Sequence, residues 1–114
     1  MNEQIKQQWL TALRSGDYEQ GSEALVTEDN CYCCLGVLTK LYANACGVRF
    51  DGNHADTFEE NERLPECVMN WADLTEAIPS LTLSDGFECN ANLAELNDKG
   101  MSFADIADLI EEQL

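Results

Sequence analysis

The chain has 114 residues, a length at which one domain with one core is the rule. Acids outnumber bases 22 to 6, and the formal net charge of −16 repels nucleic-acid phosphates and anionic membrane surfaces alike. Hydrophobic residues make up 45%, an ordinary globular share, so the acid excess does not imply a disordered chain. No stretch reaches the roughly 18 apolar residues of a membrane span. The opening MNEQIKQQWL lacks the apolar centre of a secretion signal. The expected location is the cytoplasm, where six cysteines remain reduced thiols rather than a disulfide framework.

In chain order, residues 3–14 read as a first helix, with Ile5, Trp9, Ala12 and Leu13 recurring at helical spacing and Ser15-Gly16 as its stop. Residues 17–30 are mixed, with a short extended piece expected at Ala24-Leu25-Val26. The most apolar segment, CYCCLGVLTKLYANACG at 31–47, reads as the central helix, with Leu35, Leu38, Leu41, Tyr42 and Ala45 on one wide face. Gly36 within it suggests close approach of another element, since an exposed helical glycine costs about 1 kcal/mol against alanine. Residues 48–63 are irregular and acidic, with Val48-Arg49-Phe50 a candidate strand to pair with 24–26.

Pro65 opens the next helix, a place where its missing N–H does no harm. Cys67, Val68, Trp71 and Leu74 form its inward face, and Ala77-Ile78-Pro79 ends it. Residues 80–90 read as a loop, with Leu81 and Leu83 extended. Asn90 or Asn92 caps a short helix with Leu93 and Leu96 inward, and Gly100 closes it. Ser102 then caps a last helix whose Phe103, Ile106, Ala107, Ile110 and Leu114 make an amphipathic stripe. The fold these elements predict is mainly α. It is one domain over residues 1–114, a bundle of four to five helices with room for a small two-stranded β ribbon. Its core is expected to hold Trp9, Leu13, Leu35, Leu38, Leu41, Trp71, Leu93, Leu96, Phe103, Ile106 and Ile110.

Four segments, WLTALRSGDYEQG, CCLGVLTKLY, LPECVMNWADL and LAELNDKGMSFADIADLIEEQL, span most of the chain. Together they resemble a family of short, uncharacterised proteins from tailed-phage genomes and bacterial prophages. The resemblance carries no chemistry. It implies a phage context, and with it a part in host takeover or in countering host defences.

Candidate chemistry is sparse. Cys31, Cys33 and Cys34, with Cys46, Cys67, Cys89 or His54, are the weak candidates for a zinc site, but zinc sites favour Cys-x₂-Cys pairs, and helical neighbours lie about 100° apart. A small buried hydrophobe is the plainer role for Cys34, Cys46 and Cys67. Cys31 or Cys33 at a helix start would suit a thiol nucleophile, but His54, the sole histidine, stands in an acidic loop. That loop, DGNHADTFEENE at 51–62, echoes a calcium loop through Asp51, Asn53, Glu59 and Glu62, yet Ala55 and Asp56 break the pattern. A Gly-rich phosphate loop and a Gly-x-Ser-x-Gly elbow are both missing from the sequence.

The last helix carries Asp105, Asp108, Glu111 and Glu112 outward, with no lysine or arginine on the same helix. Like charges at these steps, and acids near the C-terminal end of the dipole, are each mildly unfavourable. Local choices that all run against stability are a reason to suspect function. Carboxylates spaced about 5–6 Å apart also approach the spacing of nucleic-acid phosphates.

The expected function is therefore a non-enzymatic protein that occupies a basic surface on a host protein in the host cytoplasm. No cofactor, no direct nucleic-acid binding and no membrane association are expected, and the oligomeric state stays open. Three alternatives stand beside it. One is a nucleic-acid mimic built on the acidic face. Another is a small cysteine-based metal or thiol protein. The third is a sponge for a small ligand gathered by Arg14, Arg49 or Arg63.

Overall fold

The helix expected over 3–14 spans Glu3–Ser15 (α1) in the computed structural model, which describes residues 1–84 and 88–114 and, at 82–84 and 88–90, the backbone alone. The Asn2 side chain caps it by accepting from the Ile5 N–H at 3.0 Å. Gly16 ends it at φ 79°, a left-handed conformation that glycine adopts without a Cβ penalty. Ile5, Trp9, Leu10 and Leu13 are buried, and Lys6 is buried with them.

Residues 17–33 hold the first departure. Glu19–Gln20 (β1) and Cys31–Tyr32 (β2) form a parallel ribbon, with Glu19 opposite Cys31. The central helix thus starts three residues later than expected, at Cys34–Cys46 (α2), because Cys31 and Tyr32 are held extended by β1. The expected partnership of 48–50 with 24–26 does not form. Val26 instead bridges Tyr32, and Phe50 is buried as a core side chain. In α2 every residue from Cys34 to Thr39 is buried. Leu41 and Tyr42 are half-buried, and Ala45 is exposed rather than inward.

Pro65 sits at the N-cap of Glu66–Ala72 (α3), which ends well before Pro79, with Asp73 in the left-handed region. Val68 is buried and Trp71 and Leu74 are half-buried, but Cys67 is exposed, contrary to its expected inward role. Where a loop is expected at 80–90, Ser80–Ser84 (β3) and Glu88–Asn92 (β4) pair antiparallel, Ser80 opposite Asn92, and Leu81 and Leu83 are extended as expected. Period-2 alternation is too short there to stand out from a loop.

Asn92 caps Leu93–Asp98 (α4), and Ser102 caps Phe103–Gln113 (α5) by accepting from the Asp105 N–H. So the C-terminal helical hairpin forms as expected. The architecture is mainly α: among the described residues, five helices with two small strand pairs. The helix α2 lies at the centre, touching α1, α3 and α4, while α5 closes over α1 and α4. Of the expected core residues, Leu41 and Trp71 are half-buried and the others are buried. Among the described residues no helix is long and apolar enough to cross a membrane.

Candidate functional site

The words Cys-Cys-Leu-Gly and Leu-Asn-Asp meet in space. Asn97, 2% exposed, accepts from the Cys34 N–H at 3.2 Å and from the Gln20 amide at 3.0 Å, and donates to the Gly21 carbonyl at 2.7 Å. One buried amide thus ties the start of α2, the end of β1 and the end of α4 together. The Trp9 indole donates to the Cys34 carbonyl at 3.0 Å, and the Cys34 thiol to the Leu93 carbonyl at 3.5 Å. These motifs build a joint, and their polar atoms are taken up by one another, as buried polar groups require.

Beside this joint opens a pocket of about 420 Å³, lined by Glu23, Ala24, Cys33, Glu62, Ile78, Ala94 and Asp98. Its lining comes from five places: the segment after β1, the N-cap of α2, the loop before α3, the stretch between α3 and β3, and α4. Glu23, Glu62 and Asp98 are exposed carboxylates, while Cys33 is 4% exposed. The Glu23 N–H donates to the Asp98 carboxylate at 2.9 Å. That bond helps hold Glu23 at φ 67°, a conformation costing a non-glycine residue about 1 kcal/mol. Asp98 also lines a smaller depression of about 290 Å³, with Gln20, Gly21, Ser22, Asn97 and Gly100. Among the described lining residues of the larger pocket no lysine or arginine occurs, so its rim favours a cation.

The Cys33 thiol caps α2 by accepting from the Gly36 N–H at 3.3 Å. Burial pushes its pKa up to about 11, against a smaller lowering by that N–H. Burial also raises Cys34 well above the usual thiol range. Both are neutral thiols near pH 7, which argues against the helix-start nucleophile expected at Cys33. Cys31 is half-buried, with its sulfur 3.7 Å from the Glu19 carboxylate. His54 pairs with Asp51 at 2.8 Å, an interaction that holds Asp51 below the usual carboxylate range. Among the described residues no three His, Cys, Asp or Glu side chains converge as metal ligands would, so Cys31, Cys33, Cys34 and His54 are not drawn into one site. The Cys89 side chain lies outside the described residues. In the calcium-like loop, Asp51 is occupied by His54 and by the Asn53 N–H.

The acidic face of α5 is where the spacing puts it: Asp105, Asp108, Glu111 and Glu112 are all exposed. Its offset comes from another helix. Arg14 of α1 donates to Asp108 and to Glu111, each at 2.8 Å, and Lys6 of α1 donates to the Glu111 carbonyl at 3.0 Å. Lys6 thereby supplies the positive charge that the C-terminal end of α5 lacks in its own sequence. Two of the four carboxylates are drawn into the α1–α5 contact, while Asp105 and Glu112 form no ion pair among the described residues. Of the three arginines expected to gather a ligand, Arg14 is spent in this way and Arg63 lies 3.8 Å from Glu60.

Glu23, Glu62 and Asp98 escape sequence reasoning because each is one acid among many, in stretches without a shared spacing. The Cys-Cys-Leu-Gly and Leu-Asn-Asp words belong to the joint beside the pocket, and nothing in them marks its rim acids. No curated protein and no solved structure is detectably similar to the chain. The family comparison covers the whole of it: residues 1–114 match a family described as a domain of unknown function, DUF8296, and the chain belongs to that family.

Proposed function

We propose that the chain is a non-enzymatic phage or prophage accessory protein that binds, and so occupies, a basic surface on a host protein in the host cytoplasm. The observation that carries this reading is the pocket rimmed by Glu23, Glu62 and Asp98. Three carboxylates from separate stretches surround walls of Ala24, Ile78 and Ala94, an arrangement matched by the charged head and apolar stem of a partner lysine or arginine. The net charge of −16 adds long-range attraction, which raises association rates with a basic partner. The phage setting comes from the resemblance of the sequence motifs. The nucleic-acid mimic on α5 is the weaker form of the idea, because Arg14 already neutralises Asp108 and Glu111.

The test is affinity capture from host lysate at low salt, comparing the native chain with a Glu23→Gln, Glu62→Gln, Asp98→Asn variant. The asparagine keeps an acceptor for the Glu23 N–H. The expected result is a basic protein recovered by the native chain, released by added salt, and reduced at least about tenfold with the variant. Equal recovery by both chains, or capture of nothing above background, would refute the reading.

A further inference from the structure

Among the described residues three cysteines have no part in the joint or the pocket, and two of them are exposed: Cys46 in the last turn of α2 and Cys67 in the first turn of α3. Tyr42 and Cys46 are one helical turn apart on α2, as Cys67 and Trp71 are on α3, so each pair shares a face. The Tyr42 and Trp71 rings meet at 5.5 Å between centroids, which turns these two faces toward each other. The Tyr42 hydroxyl stands beside both sulfurs. Cys46, and after it the charge of Cys67, push the phenol up to about 12. Phe58 stacks on Tyr42 at 5.7 Å, so the ring is held by both α3 and the preceding loop.

We infer that Cys46 and Cys67 form a redox-active dithiol that closes to a disulfide across α2 and α3 when it meets an oxidised low-molecular-weight disulfide. One thiol loses its proton and attacks a sulfur of the small disulfide. A mixed disulfide forms, the small S–S bond breaks, and the departing thiolate takes up the proton. The second cysteine then attacks the protein sulfur of that mixed disulfide. The Cys46–Cys67 bond forms, and the second small thiol leaves with the second proton. The dithiol gives up two electrons and the small disulfide accepts them. Cys33 and Cys34 do not compete, because they are buried and remain protonated.

The purified full chain is incubated with glutathione disulfide, quenched by alkylation and mapped by peptide mass spectrometry. The expected product has lost the mass of two hydrogens, contains a Cys46–Cys67 linked peptide, and reverts with dithiothreitol. It should exceed the mixed glutathione adduct by about tenfold or more, because closure within one chain acts at high effective concentration. In Cys46→Ser or Cys67→Ser the linked peptide is lost and the glutathione adduct on the remaining cysteine accumulates. An absorbance titration gives a readout that does not need oxidation: the Tyr42 phenol ionises at lower pH in either variant than in the native chain. Adducts without closure in the native chain, linkage to any other cysteine, or linkage between chains would each overturn the inference.

Discussion

A thiol is a hydrophobe or a reagent according to its surroundings, and this chain uses cysteine both ways. Cys33 and Cys34 lie in the core, one capping α2 and one bonded to the Leu93 carbonyl. Burial holds Cys33 at about 11, above the ordinary 9.0 that it recovers on unfolding. Between these values the folded state binds more protons than the unfolded one, so stability falls as pH rises. The contribution is complete below pH 9.0 and is lost as pH climbs through about 11, a swing of about 3 kcal/mol. Cys34 shifts in the same direction and adds to the loss. Urea unfolding at about pH 8 and at about pH 10.5 checks this. The native chain should lose stability between the two, and Cys33→Ser should lose less, since serine does not titrate. An identical loss in both chains would mean that Cys33 is not the titrating group.

At the scale of elements, the decisive contact is between the start of α2 and residues 24–26. The Leu25 carbonyl accepts from the Cys33 N–H at 3.2 Å, and the Leu25 N–H donates to the Asn61 carbonyl. A Cβ at position 36 would overlap that carbonyl, lying 2.6 Å from its carbon even before its oxygen is counted. Only glycine lets the helix approach so closely, and the obstacle is backbone fixed at both ends rather than a side chain that can turn away. Gly36→Ala should therefore destabilise the chain by about 3 kcal/mol or more, whereas alanine in an exposed helix would stabilise it. Denaturant unfolding measures the difference. A neutral effect would show that the 24–26 segment yields without cost. The α1–α5 contact is of another kind: Arg14 holds Asp108 and Glu111 in the open, where water screens the pairs.

For the whole molecule the governing quantity is charge. Twenty-two acids and six bases sit on a body with a radius of gyration of 13.1 Å. Among the described residues Lys6 and Lys40 direct their ammonium groups at the Glu111 and Phe50 carbonyls rather than at carboxylates, and with six bases against twenty-two acids most carboxylates have no base to balance them. Self-repulsion of this kind loads the folded state, and salt relieves it. Raising sodium chloride from about 0.01 M to about 0.15 M shortens the screening length from about 30 Å to about 8 Å, less than the size of the molecule. The melting temperature should rise by about 5 °C or more over that range. A flat or falling melting curve would show that the acids are spaced too widely to oppose folding. The same repulsion is what a basic partner would relieve on binding.

Residue order alone determined where the helices lie, the cap at Ser102, the stop at Gly16 and nine of the eleven core residues named from it, because these depend on neighbours within a few positions; buried Leu25, Val26, Phe50 and Leu64 it did not mark. It also determined the charge, and it placed Asp105, Asp108, Glu111 and Glu112 on one outward face. Only the tertiary structure decided what lies opposite each of these groups. Arg14 reaches the α5 acids from a helix near the other end of the chain, and Asn97 gathers polar atoms from three elements. Glu23, Glu62 and Asp98 converge on one pocket, while Tyr42 meets Trp71 across two helices. Such contacts join positions far apart in sequence. They follow from how whole faces pack, and no local period encodes them.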